Sequence, residues 1–543
     1  MIYDPFQQKA IDYINQGSSV IVSAPTGAGK TAIAEHIINE CLKTNRGVIY
    51  TAPIKALSNQ KFRDFQQQYG DKIGILTGDV SINPDALVLI MTTEIFRNKI
   101  LEDSGSLDDK HWIIFDEIHY IDDYERGTVW EESLMFLPEH MRLLGLSATI
   151  PNIEELAQWI SGIHKKPIKT VIEKKRPVPL HFFYQCQGKI IDNIKDLRRL
   201  YYKETLTYTH KGRRHHYFYR ARPNRLSSLI DYVKSNNGLP LIYFAFGRKR
   251  CEYLAEELRT YSFLTPEERN QIISLFEKLR HRFDLTNEKN ASSLLPLIKK
   301  GIAYHHAGML PTLKEVVERL FTSRLIKVIF TTETFALGIN MPAKSVAFDD
   351  LRKYYGRFHK VLKTRDFYKM AGRAGRRGID KEGFVYSRIN SHRIKFQEVE
   401  RVIFGDYEKV RSQFNTSYAT LLHLYAQYQD NLYDIYPHSF HYFQSNTKER
   451  QANINLMKTK VRLLKDWGYI SRNKLTEKGL FASQVYGYEL NLAELYEQRI
   501  LEQLDEFQLG LLAVSLVFEI IYLVAFQILL AKFLPTKNLS SDK

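Results

Sequence analysis

The sequence predicts an α/β protein made of two parallel-sheet lobes followed by a smaller, mostly helical part. Three observations carry this expectation. Short β-branched runs alternate with amphipathic stretches from the N terminus to about residue 175, and the alternation resumes at Leu241; that pattern builds a parallel sheet covered by helices. A glycine-rich loop joins one such strand to one such helix at residues 24–31. After Gly405 the alternation stops.

Residues 20–23 read as a buried strand, and Thr31 opens a helix with apolar positions at Ile33, Ala34, Ile37, Ile38 and Leu42. Residues 47–52, 73–77, 87–92, 112–116 and 142–147 supply the other strands of the first lobe. Residues 165–176, rich in lysine and bordered by Pro167, Pro177 and Pro179, read as a linker. Strands at 241–245, 301–304, 327–331 and 345–348 belong to the second lobe. The expected domains are residues 1–176, 177–400, 401–485 and 486–543.

The loop Ala24-Pro-Thr-Gly-Ala-Gly-Lys-Thr31 has the context that phosphate binding requires: strand, tight turn, helix N terminus. In the loop formed by Pro25, Thr26, Gly27, Ala28 and Gly29, the two glycines let backbone N–H groups wrap a phosphate, Lys30 reaches the β- and γ-phosphates of ATP, and the Thr31 hydroxyl ligates Mg²⁺. Ala24 stands where the usual pattern has its first glycine. A second strand delivers Asp116-Glu-Ile-His119 at its C-terminal end, where ligands of open α/β sheets sit. Asp116 is placed to hold Mg²⁺ and Glu117 to orient and deprotonate the attacking water. The segment Gly372-Arg-Ala-Gly-Arg-Arg-Gly378 puts Arg373 and Arg376 on a glycine-rich turn and helix start, as arginine fingers from the second lobe. ATP is then expected between two lobes that open and close with hydrolysis.

These segments, with Pro5-Phe-Gln7, Thr51-Ala-Pro-Ile-Lys-Ala-Leu-Ser-Asn-Gln-Lys-Phe-Arg-Asp64, Thr77-Gly-Asp79, Thr92-Thr-Glu94, Ser147-Ala-Thr149, Tyr304-His-His-Ala-Gly308 and Thr332-Glu-Thr-Phe-Ala-Leu-Gly338, occur in the order of a known family. The chain resembles a superfamily 2 DExH-box helicase of the superkiller-like, exosome-associated type, from about residue 3 to about residue 519. The resemblance implies two RecA-like lobes, a winged-helix domain and a partial helical bundle. It implies that Gln7 recognises adenine and that Gly338 joins the nucleotide site. Thr51, Lys55, Thr93 and Thr332 would line a groove for single-stranded nucleic acid, and His119, Ser147 and Thr149 would relay nucleotide state to it. Lys369 departs from the family's glutamine, and Met1 falls where an adenine-stacking aromatic is often found.

The formal charge is +16 with 44% hydrophobic residues, which suits a chain with ample core and a polyanionic partner. Phosphate-dominated binding is salt-sensitive and largely sequence-independent. Cys41, Cys186 and Cys251 are scattered without metal-ligand spacing, so reduced thiols in a cytoplasmic setting and no zinc are expected. His305-His306 has no third ligand nearby in sequence. No leader is evident at the N terminus.

Two segments stay open. Arg213-Arg-His-His-Tyr-Phe-Tyr-Arg220 interleaves cations with rings, which fits either a strand-binding surface or an insertion hairpin with an exposed edge. Residues 511–534 are mostly apolar apart from Glu519, Gln527 and Lys532. They are long enough to span a bilayer, at a cost of roughly 2.5 to 3.5 kcal/mol for Glu519, but 511–519 resembles the family's first bundle helix. The expectation is a chain cut or altered after Glu519, with no membrane role. The resulting functional expectation is a monomeric 3′ to 5′ RNA helicase in RNA processing or decay, working with RNA-decay proteins. The alternatives are a DNA translocase of the same superfamily and an ATP-binding nucleic-acid-binding protein that no longer unwinds.

Overall fold

A computed structural model gives the fold of residues 2–102, 104–202, 207–210, 213–216, 222–333, 335, 341, 343–354, 358–485 and 487–517. The chain divides into two compact units, with the boundary after Gln413.

The first unit holds both sheets. Strands β1 (Ser19–Ser23), β2 (Gly47–Ala52), β3 (Ile73–Leu76), β4 (Ser81–Ile82), β5 (Val88–Thr92), β6 (Lys110–Asp116), β7 (Arg142–Ser147) and β8 (Ile168–Ile172) form one sheet in the order β4-β3-β5-β2-β6-β7-β1-β8. All are parallel except β4, antiparallel at the edge. Every residue of β2 and β5 is buried, the continuous apolar pattern of strands covered on both faces. Pairing sets Ser23 level with Ser147, and Asp116 level with Leu146. The loops leaving β1, β6 and β7 therefore emerge together at one edge.

The expected linker contains β8, which pairs with β1 along its whole length. Only Val171 of β8 is buried. An edge strand with a single covered side chain and a lysine-rich surround carries almost no apolar signal, and that charge is what keeps an edge from pairing further.

The second sheet uses β9 (Leu180–Cys186), β10 (Lys189–Ile191), β13 (Leu241–Phe244), β14 (Ile302–His305), β15 (Val328–Thr331), β16 (Ser345–Phe348) and β19 (Gly383–Ile389), in the order β10-β9-β19-β16-β13-β15-β14. Between them lie two hairpins, β11 (Thr207–His210) with β12 (Arg213–His216), and β17 (Arg352–Tyr354) with β18 (His359–Val361). The first falls in the basic and aromatic segment, whose residues 217–220 lie outside the described residues. β9 and β19 pair in parallel over seven residues and were not expected as strands. Ile242, Phe244, Ile329, Val346, Phe348 and Phe367 share one buried core. The helix Thr364–Ala371 buries Phe367 and Met370 and is capped at Gly372, so Arg373 and Arg376 follow a helix end instead of opening a helix.

In the second unit, helices Tyr418–Tyr428, Thr447–Asp466, Glu477–Gln484 and Glu489–Glu497 accompany a short hairpin of Ile470–Ser471 with Lys474–Leu475. Within residues 401–485, expected as a winged-helix domain, Thr476 starts a helix: its side chain accepts the N–H of Gly479, an N-cap. Helix Glu506–Val517 carries exposed Phe507 and Val514. Glu519 and the rest of the apolar tail lie outside the described residues. Among the described residues no helix is long and apolar enough to cross a membrane.

One buried ion pair ties the first lobe's helices: Arg97 Nη1 lies 2.9 Å from Glu132 Oε2, with both side chains almost wholly covered. Breaking a buried pair strands a charge and costs about 3–5 kcal/mol. Arg97→Met is expected to lower the apparent melting temperature by on the order of 10 °C, and Arg97→Met with Glu132→Met to recover most of it. A double variant no more stable than the single one contradicts this.

Candidate nucleotide site and nucleic-acid groove

At the end of β1, the N–H of Ala24 donates to the carbonyl of Ser147 at 3.2 Å, which fixes the start of the phosphate loop against β7. Gly27 and Gly29 turn the loop with φ of 83° and 89°, values glycine adopts without strain. At Gly29 a β-carbon would fall 2.5 Å from Arg377 Nη1 and 3.0 Å from Gln7 Nε2. The Lys30 ammonium lies across its own loop, donating to the carbonyls of Ala24 (2.8 Å) and Pro25 (3.2 Å). Withdrawal from water holds Lys30 below the ordinary lysine range, against the pull of Glu117 and Asp116.

Asp116 closes β6, and Tyr50 Oη donates to its Oδ2 at 2.5 Å. Glu117 adopts φ 62°, ψ 44°, a left-handed conformation for a residue that is not glycine. Such strain persists where surrounding structure imposes it, and clusters at functional sites. Here it turns the chain sharply into the short helix Ile118–Asp122 and leaves Glu117 Oε2 3.3 Å from His119 Nδ1. Lys61 sits on the buried face of helix Lys55–Tyr69 and donates to Thr31 Oγ1 at 3.0 Å. Burial raises the Asp116 carboxyl above its usual range, with Lys61 the foremost opposing charge. Arg373 enters from the second lobe, where the charges of Glu117 and Asp116 act on it, and its own charge helps hold Lys30 down.

Serines and His119 link this cluster to the segment Ser147-Ala-Thr149. Ser23 Oγ accepts the N–H of Ile150 at 3.1 Å and donates to the carbonyl of Ala148 at 3.3 Å. Ser147 Oγ lies 3.4 Å from His119 Nδ1, and Lys369 Nζ lies 3.4 Å from His119 Nε2. An ammonium has only donors, so Nε2 accepts and the ring proton rests on Nδ1, facing Glu117. The Lys369 ammonium also stands 4.3 Å from the ring centre of Tyr120. Burial first, then Lys369 and Arg365, hold His119 well below the ordinary imidazole range.

The lobes meet through cations that the sequence reading left without roles. Arg176 Nη1 donates to the carbonyl of Thr26 at 3.0 Å and Nη2 to that of Gly372 at 2.9 Å; burial pulls its pKa down to about 10. A β-carbon on Gly372 would meet Thr26 Cβ at 2.7 Å, so the glycine permits this approach. Arg377 donates to the carbonyl of Ala28 at 2.6 Å and to Asp4 Oδ2 at 2.7 Å. Arg376, expected as a finger, is instead held by Asp380 of its own lobe, at 2.6 and 2.8 Å. Gln7 Nε2 donates to the Gly29 carbonyl at 2.8 Å, beside the loop it was expected to serve.

The groove residues divide. Lys55 is exposed and ion-paired with Asp79 at 3.1 Å, and Thr332 follows β15 half-buried. Thr51 and Thr93 are fully buried. Thr51 Oγ1 donates to the Ile114 carbonyl at 3.3 Å, because β2 lies in the sheet interior; its hydroxyl is not offered to a strand here. Thr149 is half-buried beside Ala148, and Gly338 lies outside the described residues. Tyr50, Lys61, Arg176 and Arg377 went unassigned. Lys61 carried a signal, since a lysine among Leu57, Phe62 and Phe65 on one helical stripe is anomalous.

A phosphate loop, a carboxylate pair and a guanidinium from a second parallel-sheet lobe thus come together in one cluster. Residues 4–156 match the DEAD/DEAH box helicase family, so this part of the chain carries a DEAD/DEAH box helicase domain. It is 38% identical over 460 residues to "mRNA transport homolog 4" of Caenorhabditis elegans, covering 82% of this chain and 45% of that one. It is 36% identical over 529 residues to "Superkiller complex protein 2" of Mus musculus, covering 92% and 42%, and 37% identical over 460 residues to "Exosome RNA helicase MTR4" of Homo sapiens, covering 82% and 44%. The chain thus spans less than half the length of these relatives.

Because His119 is held neutral in the fold, an unfolded chain takes up its proton first as pH falls below about 6.5. Its contribution to stability is complete above that pH and is lost as pH drops toward the depressed folded value. His119→Gln should therefore gain on the wild type by up to about 1.4 kcal/mol per pH unit below pH 6.5, read from denaturant midpoints at several pH values. A pH-independent difference between the two proteins contradicts a buried neutral imidazole.

Proposed function

We propose that this chain is an ATP-dependent RNA helicase that moves 3′ to 5′ along a single strand, in RNA processing or decay. The observation that supports it most is the meeting of Lys30, Asp116 and Glu117 from one lobe with Arg373 from the other. In this reading the Lys30 ammonium leaves its loop carbonyls for the β- and γ-phosphates. Glu117, fixed by its strained backbone and by His119, orients the attacking water and takes its proton. Arg373 meets the negative charge that develops on the transferred phosphoryl group.

The residues also fit Mg²⁺. Thr31 Oγ1 and the Asp116 carboxylate are hard oxygen donors, and the hydrogen bond from the Lys61 ammonium to Thr31 Oγ1 supports a positive charge at this position. Thr31 and Asp116 would hold the ion, which would supply charge neutralisation on the phosphates. Lys55 and Thr332 remain the proposed strand contacts at the carboxyl edges of the two sheets. The chain's net charge of +16 suits this partner. RNA-decay proteins, of the kind named among the relatives, are the proposed associates, and a cytoplasmic setting agrees with three buried thiols.

Glu117→Gln should lower kcat for ATP by about 10²–10⁴ while ATP affinity stays within a factor of about three; normal turnover removes Glu117 as the base. Arg373→Ala should cost about 10³ or more in kcat, and Arg376→Ala clearly less, since Asp380 holds Arg376; equal losses would contradict that division. Strand displacement on matched RNA and DNA duplexes with a 3′ or 5′ overhang tests the substrate. The reading requires RNA with a 3′ overhang to be unwound; preference for DNA assigns a DNA translocase, and strand binding without displacement a non-unwinding protein.

A further inference from the structure

Beside the phosphate loop lies a cavity of about 260 Å³, enclosed by the first lobe, the linker and the second lobe. Thr26 and Thr149 form one wall, Lys174 and Arg176 another, and Arg365 and Lys369 of helix Thr364–Ala371 a third. Four cations line it and no carboxylate does.

Two of these cations are hard to explain structurally. Arg365 and Lys369 are one helical turn apart, a like-charge spacing that destabilises a helix, yet they are only 6% and 8% exposed. Arg365 places Nη2 on Asp122, while its buried Nη1 has no hydrogen-bond partner among the described residues. Among the described residues Lys369 has the imidazole of His119, itself held neutral, as its hydrogen-bond neighbour, and the charges of Glu117 and Asp366 act on it without a direct ion pair. A buried cation is costly unless it is paired. The chamber therefore has positive charge in excess of what its walls compensate. Its volume falls below that of pockets which enclose drug-sized ligands, and it adjoins the catalytic cluster through Thr26 and through the Lys369–His119–Glu117 contacts.

We propose that this chamber is a binding site for inorganic phosphate, holding the released γ-phosphate as it leaves the catalytic cluster. The assignment rests on the hydrolase reading above for the origin of its ligand, but the binding site stands on its own chemistry. Arg365 Nη1 and Lys369 Nζ are the inner donors, Arg176 is already committed to backbone carbonyls, and exposed Lys174 draws the anion toward solvent.

The test is binding of inorganic phosphate, and of tungstate as its heavy-atom counterpart, to the full chain without nucleotide, by calorimetry and by anomalous diffraction. Expected are one tungstate in the chamber and phosphate affinity at least tenfold weaker in Lys369→Gln and Arg365→Gln. Lys174→Ala, on the exposed rim where folding is not at stake, should weaken it a few-fold and flatten its salt dependence. Tungstate should remain when a non-hydrolysable ATP analogue is added at saturation. No phosphate binding, equal affinity in all three variants, or expulsion of tungstate by the analogue would overturn the proposal, the last by placing the anion in the γ-phosphoryl position. Absence of ATP turnover with phosphate binding intact would instead refute the hydrolase reading, leaving the anion site standing.

Discussion

Everything at the nucleotide site depends on a charge imbalance: Asp116 and Glu117 lie in a confined seam among Lys30, Lys61, Lys369 and Arg373. Charge withdrawn from water must be answered nearby, and two carboxylates do not answer four cations. The protein handles the surplus locally by laying Lys30 on its own loop carbonyls, Lys61 on a hydroxyl and Lys369 on a neutral ring. Each of these is a weak partner compared with a phosphate oxygen. A polyphosphate entering the seam exchanges several modest interactions for strong ones at once, drawing on groups from both lobes.

The two sheets make that convergence possible. Parallel strands in register release their loops at one edge, so residues far apart in the chain meet without any being placed individually: Ser23, Asp116 and Ser147 in the first lobe, His305 and Thr331 in the second. Arg176 and Arg377 then fasten the first lobe's phosphate loop to the second lobe through backbone carbonyls. Contacts made to the carbonyls of this glycine-bearing loop would respond to a change in the loop's occupancy. In the proposed function this arrangement would connect nucleotide state to lobe separation, and His119, which contacts Glu117, Ser147 and Lys369, would connect the same event to the segment leading from β7.

Much of this was legible in the residues. Strands buried on both faces announced themselves, as did the loop from Ala24 to Thr31 and the Asp116-Glu117 pair, because their chemistry demands particular residue types at fixed spacing. β8 was hidden because an edge strand with one covered side chain looks like a charged linker. The helix start at Thr476 was hidden because a capping threonine and a turn threonine are the same residue. Which arginine of the Arg376-Arg377 doublet faces the loop is decided by Asp380 and Asp4, partners that no local pattern reveals. Lys369 was visible as a departure, but its meaning required the neighbours supplied by the other lobe.

The central claim is that nucleotide is gripped between the lobes by Lys30 on one side and Arg373 on the other. A crystal structure of the full chain with a non-hydrolysable ATP analogue and Mg²⁺ tests it most directly. The account predicts Lys30 Nζ detached from the Ala24 carbonyl and bonded to the terminal phosphates, with the Arg373 guanidinium within hydrogen-bond distance of the γ-phosphate. An analogue seated on the loop while Lys30 still holds Ala24, or while Arg373 lies beyond reach of any phosphate oxygen, would contradict it.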